Sequence, residues 1–108
     1  MREVILRPEA EADIEDAADY TLARWGHDQA IKYVTQLRRA CHELASASHH
    51  YPHFDAIYPG LRRRRSGMHH IYYLADDDGV EIVRIIDVRR DPGLHLKGET
   101  WPDLEDRR

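Results

Sequence analysis

Apolar residues in the first half of the chain recur at three- and four-residue intervals, the spacing that places side chains on one face of an α-helix. A short β-branched run at residues 3–7 comes first and stops at Pro8, so the pattern predicts a strand that leads directly into a helix. Gly26 is expected to end this helix in a left-handed conformation. The predicted buried positions are Ala10, Ile14, Ala17, Ala18, Leu22 and Trp25.

A second helical pattern follows after only one or two residues and extends to about His49. Asp28 is its expected N-cap, because a carboxylate there can accept hydrogen bonds from the free N–H groups of the first turn. So short a connection between two helices predicts an antiparallel helical hairpin. The predicted buried positions of the second helix are Ala30, Val34, Leu37, Cys41, Leu44, Ala45 and Ser48.

The second half of the chain has the pattern of strands, after a proline-containing loop at residues 50–60. One turn is expected at Ser66-Gly67. Another is expected at residues 76–79, where an Asp-Gly pair is a strong signal for a β-hairpin. The predicted strands are residues 61–65, 68–75 and 80–89.

The predicted order, β-α-α-β-β-β, is typical of an α+β domain in which a helical hairpin packs on one face of a small, mainly antiparallel sheet. We expect this domain to cover residues 1–96, with a short helix near residues 94–96. Residues 97–108 have no clear period and predict a tail that is loosely ordered or ordered by a partner, with Trp101 as its anchor. No helix is predicted for the second face of the sheet, which is therefore expected to be free for function.

The composition is that of one globular domain of 108 residues, 42% hydrophobic and 33% charged, with a net charge of −4. The negative net charge argues against a general nucleic-acid coat protein. Cys41 is the single cysteine, which excludes an internal disulfide, and it is expected to be a small buried apolar residue. The first residues do not have the pattern of a signal peptide, and no apolar stretch approaches the ~20 residues of a membrane span, so we expect a cytoplasmic protein.

Arginines are concentrated in the predicted strands. Residues 1–30 carry three arginines and eight acidic residues, whereas residues 61–91 carry seven arginines and six acidic residues. Arg84 lies in the middle of the most apolar strand, where a charge needs either an internal acidic partner or an opening onto the functional surface. Arg, His and Tyr residues on these strands could cleave RNA without a metal, or the arginines could bind the carboxylates of a partner. The residue types alone favour neither function.

Eight histidines raise the question of a metal site, and their spacing argues against one. His69 and His70 are adjacent on a predicted strand, so their side chains point to opposite faces of the sheet. Neither an HExxH motif nor a Cys-His spacing of the zinc-binding kind occurs in the sequence. We therefore predict a protein without a metal or another cofactor.

Eight short segments occur along the chain in a characteristic order: LRPEAEAD at 6–13, RWG at 24–26, PGLRR at 59–63, SG at 66–67, IYY at 71–73, DDG at 77–79, VEIVRII at 80–86 and RRD at 89–91. In this order and spacing they resemble the ParE branch of the RelE/ParE toxin superfamily. The resemblance covers about residues 1–96 and implies the fold predicted above. It further implies the toxin of a type II toxin–antitoxin system.

Toxins of the ParE branch inhibit DNA gyrase, whereas the RelE-like relatives cut messenger RNA on the ribosome. The nuclease branch relies on lysines around the second helix and the following strand, with a Tyr or His near the C-terminus. Here the only lysines are Lys32 and Lys97, no tyrosine follows Tyr73, and His95 is the only late histidine. This departure favours a gyrase inhibitor that acts by binding and not by catalysis. The alternative is a metal-independent, ribosome-dependent endoribonuclease with the catalytic candidates Arg64, Arg84 and His95.

The resemblance also implies a protein partner, a cognate ParD-like antitoxin. In such families the disordered C-terminal arm of the antitoxin folds onto an apolar groove of the toxin and presents acids to its arginines. The expected assembly is a hetero-oligomer, without a membrane partner and without direct sequence-specific binding of nucleic acid. The residues expected to contact the antitoxin or the cellular target are Arg64, Arg84, Arg89, Arg90 and Asp91.

Overall fold

A four-stranded sheet organises the structure, a computed structural model that describes residues 2–102. The elements are β1 (Glu3–Leu6), α1 (Pro8–Trp25), α2 (His27–Ala47), β2 (Arg62–Ser66), β3 (His69–Ala75), β4 (Gly79–Asp87) and α3 (Pro92–Leu96). The strand order is β1-β4-β3-β2, in which β1 runs parallel to β4, and β4, β3 and β2 pair antiparallel. The predicted α+β class, element order and mainly antiparallel sheet are confirmed.

A single residue, Gly26, joins α1 to α2 and caps both helices. Its N–H donates to the carbonyl of Leu22, and its own carbonyl accepts from the N–H of Ala30. Gly26 has the positive φ of 91° that favours glycine, but its ψ of 176° is extended, so the predicted left-handed cap is wrong. The extended ψ sends the chain directly into α2, which begins at His27. Asp28 therefore lies inside the first turn of α2 and is not its N-cap.

The main core lies between the helical hairpin and one face of the sheet. The α1 stripe begins as predicted and continues to Thr21, whose hydroxyl donates to the carbonyl of Ala17. Leu22 lies about 100° around the helix from Thr21 and is exposed. Trp25 shares the face of Thr21 but is 68% exposed at the end of the helix, so the predicted burial of both is wrong. The buried members of this core are Ala10, Ile14, Ala17, Leu37, Ala40, Cys41, Leu44, Ile71, Tyr73, Val80, Ile82 and Ile85.

A second core covers the opposite face of the sheet, so the expectation of a free sheet face is wrong. The segment between α2 and β2 folds back over this face and contributes Phe54, Ile57 and Tyr58, and α3 contributes Leu96. The proline signals in this segment predicted a loop correctly, but its apolar side chains make it a covering layer. Beneath it lie the sheet residues Tyr72, Leu74, Val83 and Ile86, together with Leu61 directly before β2.

A β-bulge in β4 lies directly before Arg84 and changes the register of this strand against β3. Tyr72 of β3 pairs with Arg84, while the next residue, Tyr73, pairs with Ile82, so Val83 is the extra residue. Alternation along β4 is broken at this point. The strand is also apolar on both faces, so the apolar pattern alone does not assign a face to Arg84. β4 ends at Asp87, two residues before the predicted end, because the carboxylate of Asp87 accepts from the backbone N–H of Arg89 and closes a turn.

The described part of the C-terminal tail is anchored by Trp101, as expected. Its ring stacks on Tyr58 with the centroids 4.9 Å apart and the planes 11° apart. Residue 1 and residues 103–108 lie outside the described residues. The domain boundary at residue 96 and the character of the tail at 97–108 therefore stay predictions.

Gly67 provides a test of how the β2–β3 turn is held against α2. It has a φ of 59°, and a Cβ atom there would lie 2.7 Å from Cε1 of Tyr33. We expect Gly67→Ala to lower the free energy of unfolding by about 1–3 kcal/mol, because the left-handed conformation and the close contact both become strained. Urea unfolding followed by circular dichroism measures this loss. Gly98→Ala is the control, since a Cβ there meets no atom within 4 Å, and equal effects of both changes would contradict the expectation.

Candidate functional site

A groove of about 900 Å³ lies between the C-terminal half of α1 and the end of β4, and it contains most of the predicted site residues. The start of α2, the start of β3 and the turn after β4 complete its walls. Its lining combines aromatic, basic and acidic side chains, which suits the recognition of another protein. The lining residues are Asp13, Asp16, Ala17, Tyr20, Thr21, Arg24, Trp25, Gln29, Tyr33, Met68, His69, Arg84, Ile85, Ile86, Asp87, Arg89, Arg90 and His95.

Arg84 and Asp13 form a bidentate ion pair in the floor of the groove. Nε of Arg84 lies 2.7 Å from Oδ2 of Asp13, and Nη2 lies 3.0 Å from Oδ1. Oδ2 also accepts from the backbone N–H of Ile85 at 2.9 Å. β1 ends at Leu6 opposite Ile82, so the edge of β4 is uncovered from there on, and the Asp13 carboxylate supplies the missing acceptor. Arg84 therefore has an internal acidic partner and also lies on the groove.

The Arg84 guanidinium extends from the groove towards the C-terminal residues. Its Nη1 donates to the backbone carbonyl of His95 at 3.0 Å and lies 3.5 Å from a carboxylate oxygen of Glu99. The ion pair with Asp13 raises the pKa of Arg84 further above its usual range, with Glu99 acting in the same direction. Arg84 is thus a permanent cation that holds α1, β4 and α3 together.

Arg89, Arg90 and Asp91 follow β4 in the turn that leads to α3. Arg89 is exposed and folds back onto Asp87, with Nη2 2.7 Å from Oδ2, and this pairing holds the pKa of Asp87 well below its usual range. Arg90 lines the groove without an ion pair to any residue between 2 and 102. Asp91 caps α3, since its Oδ1 accepts from the N–H of Gly93 at 2.8 Å, and it is not part of the groove lining.

Arg64 lies away from the groove, on β2 beside α2. Its Nη1 donates to the carbonyl of Ala40 at 2.9 Å and to Glu43 at 2.8 Å, and its guanidinium lies 4.9 Å from the centroid of the Tyr51 ring. The four arginines of β2 alternate between the two faces, and Arg63 lies over Phe54 in the covering layer of the second face. The run of four arginines is therefore not one basic patch.

Tyr33 and His69 form a polar pair in the wall of the groove. The Tyr33 hydroxyl lies 2.6 Å from Nδ1 of His69 and accepts from the backbone N–H of Met68 at 2.9 Å. Burial raises the pKa of Tyr33 and lowers the pKa of His69, while Asp87 acts on His69 in the opposite direction. His69 is neutral in the folded state at neutral pH and is fixed by its neighbours.

The lowered pKa of His69 predicts a dependence of stability on pH. When the pH falls below 6.5, the ordinary pKa of histidine, His69 becomes protonated in the unfolded chain more readily than in the folded chain. The free energy of unfolding should therefore fall as the pH decreases below 6.5, by at most about 1.4 kcal/mol per pH unit for one proton. Urea unfolding between pH 7 and pH 5 measures the slope. His69→Asn, whose amide can replace Nδ1, should reduce the slope, whereas an unchanged slope would contradict this origin.

The groove also contains residues that the sequence analysis did not assign to a site. Tyr20 and Trp25 are 51% and 68% exposed, and Arg24 lies 5.5 Å over the ring of Tyr20. Arg24 forms no ion pair with any residue that the structure describes. Tyr, Trp and Arg are the residue types that contribute most to protein–protein interfaces. The RWG segment at 24–26 contains two of these residues and is one of the segments that resemble the ParE branch. The apolar spacing instead predicts Trp25 as the last buried residue of the α1 stripe.

The three catalytic candidates do not form one cluster. Arg84 and His95 line the groove, but Arg64 lies on β2 and is bound to α2. His69 and His70 point to opposite faces, and no group of three or more His, Cys, Asp and Glu residues between 2 and 102 could hold a metal ion. The Cys41 thiol is fully buried, and burial raises its pKa to about 12, so it is not a nucleophile. No helix in this part of the chain has the length and apolar content needed to cross a membrane.

Comparison with known proteins identifies the family. A family model described as the ParE toxin of a type II toxin–antitoxin system, parDE, matches residues 4–92. The chain is 34% identical over 93 residues to Toxin ParE1 of Mycobacterium tuberculosis, a match that covers 85% of this chain and 95% of that protein. It is 29% identical over 96 residues to Toxin ParE1 of Caulobacter vibrioides, with 89% of this chain and 99% of that protein covered.

A solved structure supports the fold. A chain of the chromosomal ParDE toxin–antitoxin system from P. aeruginosa matches with a TM-score of 0.71 at 19% identity, covering 82% of this chain and 97% of that chain. The resemblance that the sequence motifs indicated is confirmed. The protein belongs to the ParE toxin family of type II toxin–antitoxin systems.

Proposed function

We propose that this toxin inhibits DNA gyrase by protein–protein binding and that a cognate ParD-like antitoxin neutralises it. The observation that carries the proposal is the groove, in which exposed aromatic rings stand beside arginines that have no acidic partner in the described part of the chain. Trp25, Arg24 and Arg90 are of this kind. Such a surface is suited to hold a partner, and among residues 2–102 its lining contains no Ser, Thr or Cys nucleophile paired with a base. Inhibition of gyrase requires a cytoplasmic location.

The position of the catalytic candidates supports binding over cleavage of RNA. Metal-independent cleavage needs a cation beside the phosphate and a proton-transfer group within hydrogen-bond reach of it. Arg64 is bound to Ala40 and Glu43, and Arg84 to Asp13. Among residues 2–102 the His95 side chain has no such partner, and as a catalytic group it would act alone.

Inhibition of DNA supercoiling by purified gyrase tests the target. We expect the full-length toxin to block supercoiling at micromolar concentration and the antitoxin to reverse the block at a stoichiometric amount. Toxin that arrests growth in cells without inhibiting gyrase would refute the proposal. Mapping of RNA ends after induction would then show whether messages are cut, and His95→Ala would show whether that histidine is needed for the cuts.

The arginine-rich turn after β4 is the proposed contact for acidic residues of the antitoxin arm. Arg90 is the sharper test of the two arginines there, because Arg89 is already paired with Asp87. Arg65 is the control, because it is an exposed arginine on β2 that lies outside the groove. We expect Arg90→Glu to weaken binding of the antitoxin more than Arg65→Glu does. Isothermal titration of both variants against the antitoxin measures the difference in affinity. Equal affinities would show that Arg90 does not contact the antitoxin.

A further inference from the structure

Residues 97–102, which we call the C-terminal strap, lie beyond residues 4–92 that match the ParE family. The strap is fixed at its far end by three contacts from distant parts of the chain. Trp101 stacks on Tyr58, the Tyr58 hydroxyl donates to the carbonyl of Pro102, and the Arg7 guanidinium lies 5.9 Å from the centroid of the Trp101 ring. The strap therefore closes the second core at the side where β1 and β4 meet.

Glu99 is the residue of the strap that contacts Arg84, one of the residues that line the groove. Its side chain is only 10% exposed, with one carboxylate oxygen 3.5 Å from Nη1 of Arg7 and the other 3.5 Å from Nη1 of Arg84. The same Nη1 of Arg84 donates to the carbonyl of His95. Arg84 and His95 both line the groove, so Glu99 lies directly behind its wall.

We propose that Glu99 is a positioning residue for the partner-binding groove, and that the strap holds Arg84 and α3 in the arrangement that a partner binds. The inference rests on the proposed function, which assigns the groove to a partner. Asp13 fixes the Arg84 guanidinium from the α1 side, and Glu99 fixes it from the strap side. Without Glu99 the link from Arg84 to the His95 carbonyl has less support. A partner must then order the groove wall at Arg84 and α3 as it binds, and the entropy lost in this ordering lowers its affinity.

Glu81 offers a matched control for Glu99. It belongs to the same charge network, with Oε2 3.0 Å from Nε of Arg7, but it has no contact with Arg84. Glu81→Gln and Glu99→Gln remove the same charge and leave the same shape. We expect Glu99→Gln to weaken binding of both gyrase and the antitoxin by about tenfold, and Glu81→Gln to change it by less than about twofold. Equal affinities of the two variants would overturn the proposal.

Hydrogen exchange tests the strap without any partner. In the full-length protein we expect the amides of residues 92–96 to exchange faster in Glu99→Gln than in Glu81→Gln or the unchanged chain. Trp101→Ala should act like Glu99→Gln, and Trp101→Phe should restore slow exchange because it keeps a stacked ring. Equal exchange in all variants would overturn the role of the strap. If the unchanged toxin binds neither gyrase nor antitoxin, the proposed function fails, while the exchange comparison still decides whether the strap orders this wall.

Discussion

Asp13→Ala is expected to lower the free energy of unfolding by about 3 kcal/mol, the largest effect of any polar substitution considered for this protein. Asp13 and Arg84 have side chains that are only 11% and 19% exposed, and their pairing is bidentate. Removal of the carboxylate leaves the Arg84 cation without its closest partner. It also leaves the N–H of Ile85 without an acceptor at the uncovered edge of β4. Urea unfolding followed by far-ultraviolet circular dichroism measures the loss.

Asp16→Ala is the control for this prediction. Asp16 lies one turn further along α1 and also lines the groove, but it has no ion pair with any of residues 2–102. We expect its replacement to change stability by less than about 0.5 kcal/mol. A double-mutant cycle with Arg84→Met should give a coupling energy above about 1 kcal/mol, since the two residues are in direct contact. A coupling energy near zero would show that the pair contributes little to stability.

The fold was predictable because its main signals are local. The three- and four-residue spacing of apolar residues identified both helices, and the Asp-Gly pair at the start of β4 identified a hairpin. The predictions that failed depend on packing between distant residues. Leu22 and Thr21 are neighbours in sequence, and only the position of α2 and the sheet decides which of them is buried. The covering layer formed by Phe54 and Ile57 likewise depends on a loop folding back over the sheet.

The candidate site was predictable only in part, for the same reason. The sequence singled out Arg84 as a charge in an apolar strand, but its partner Asp13 lies 71 residues away and no spacing rule connects them. The strand around Arg84 is apolar on both faces, so alternation in the sequence does not assign its face, and the bulge at Val83 changes the register there. Arg64 belonged to the same predicted set, yet β2 and β4 are separated by β3, and Arg64 is directed towards α2. The sequence analysis grouped Arg64 and Arg84 because both are arginines on predicted strands, but the strand order places them in different parts of the structure.

The groove and the second core are linked through the same arginine. On one side Arg84 is bound by Asp13 of α1, and on the other by the His95 carbonyl and Glu99. A toxin that acts by binding, as proposed, depends on the shape and rigidity of its binding surface, because a partner that must order the surface binds less tightly. If the groove binds a partner as proposed, these ion pairs have a role in binding as well as in stability.

Trp25→Ala is expected to weaken partner binding by at least about 2 kcal/mol, or roughly 30-fold, while leaving stability within about 0.5 kcal/mol. The side chain is 68% exposed in the free protein, so its removal costs the fold little. It stands at the mouth of the groove beside Arg24, where a partner would bury it. Titration of the variant against gyrase and against the antitoxin measures the change in affinity.

Leu22→Ala distinguishes this role of Trp25 from a general effect of apolar surface. Leu22 lies on the same helix three residues earlier and is 48% exposed, but it is not part of the groove lining. Its replacement removes apolar surface outside the groove and should leave both affinities unchanged within about twofold. If Trp25→Ala binds gyrase and the antitoxin as tightly as Leu22→Ala does, neither partner occupies the groove. If only one of the two affinities falls, the groove belongs to that partner, and the other binds elsewhere on the toxin.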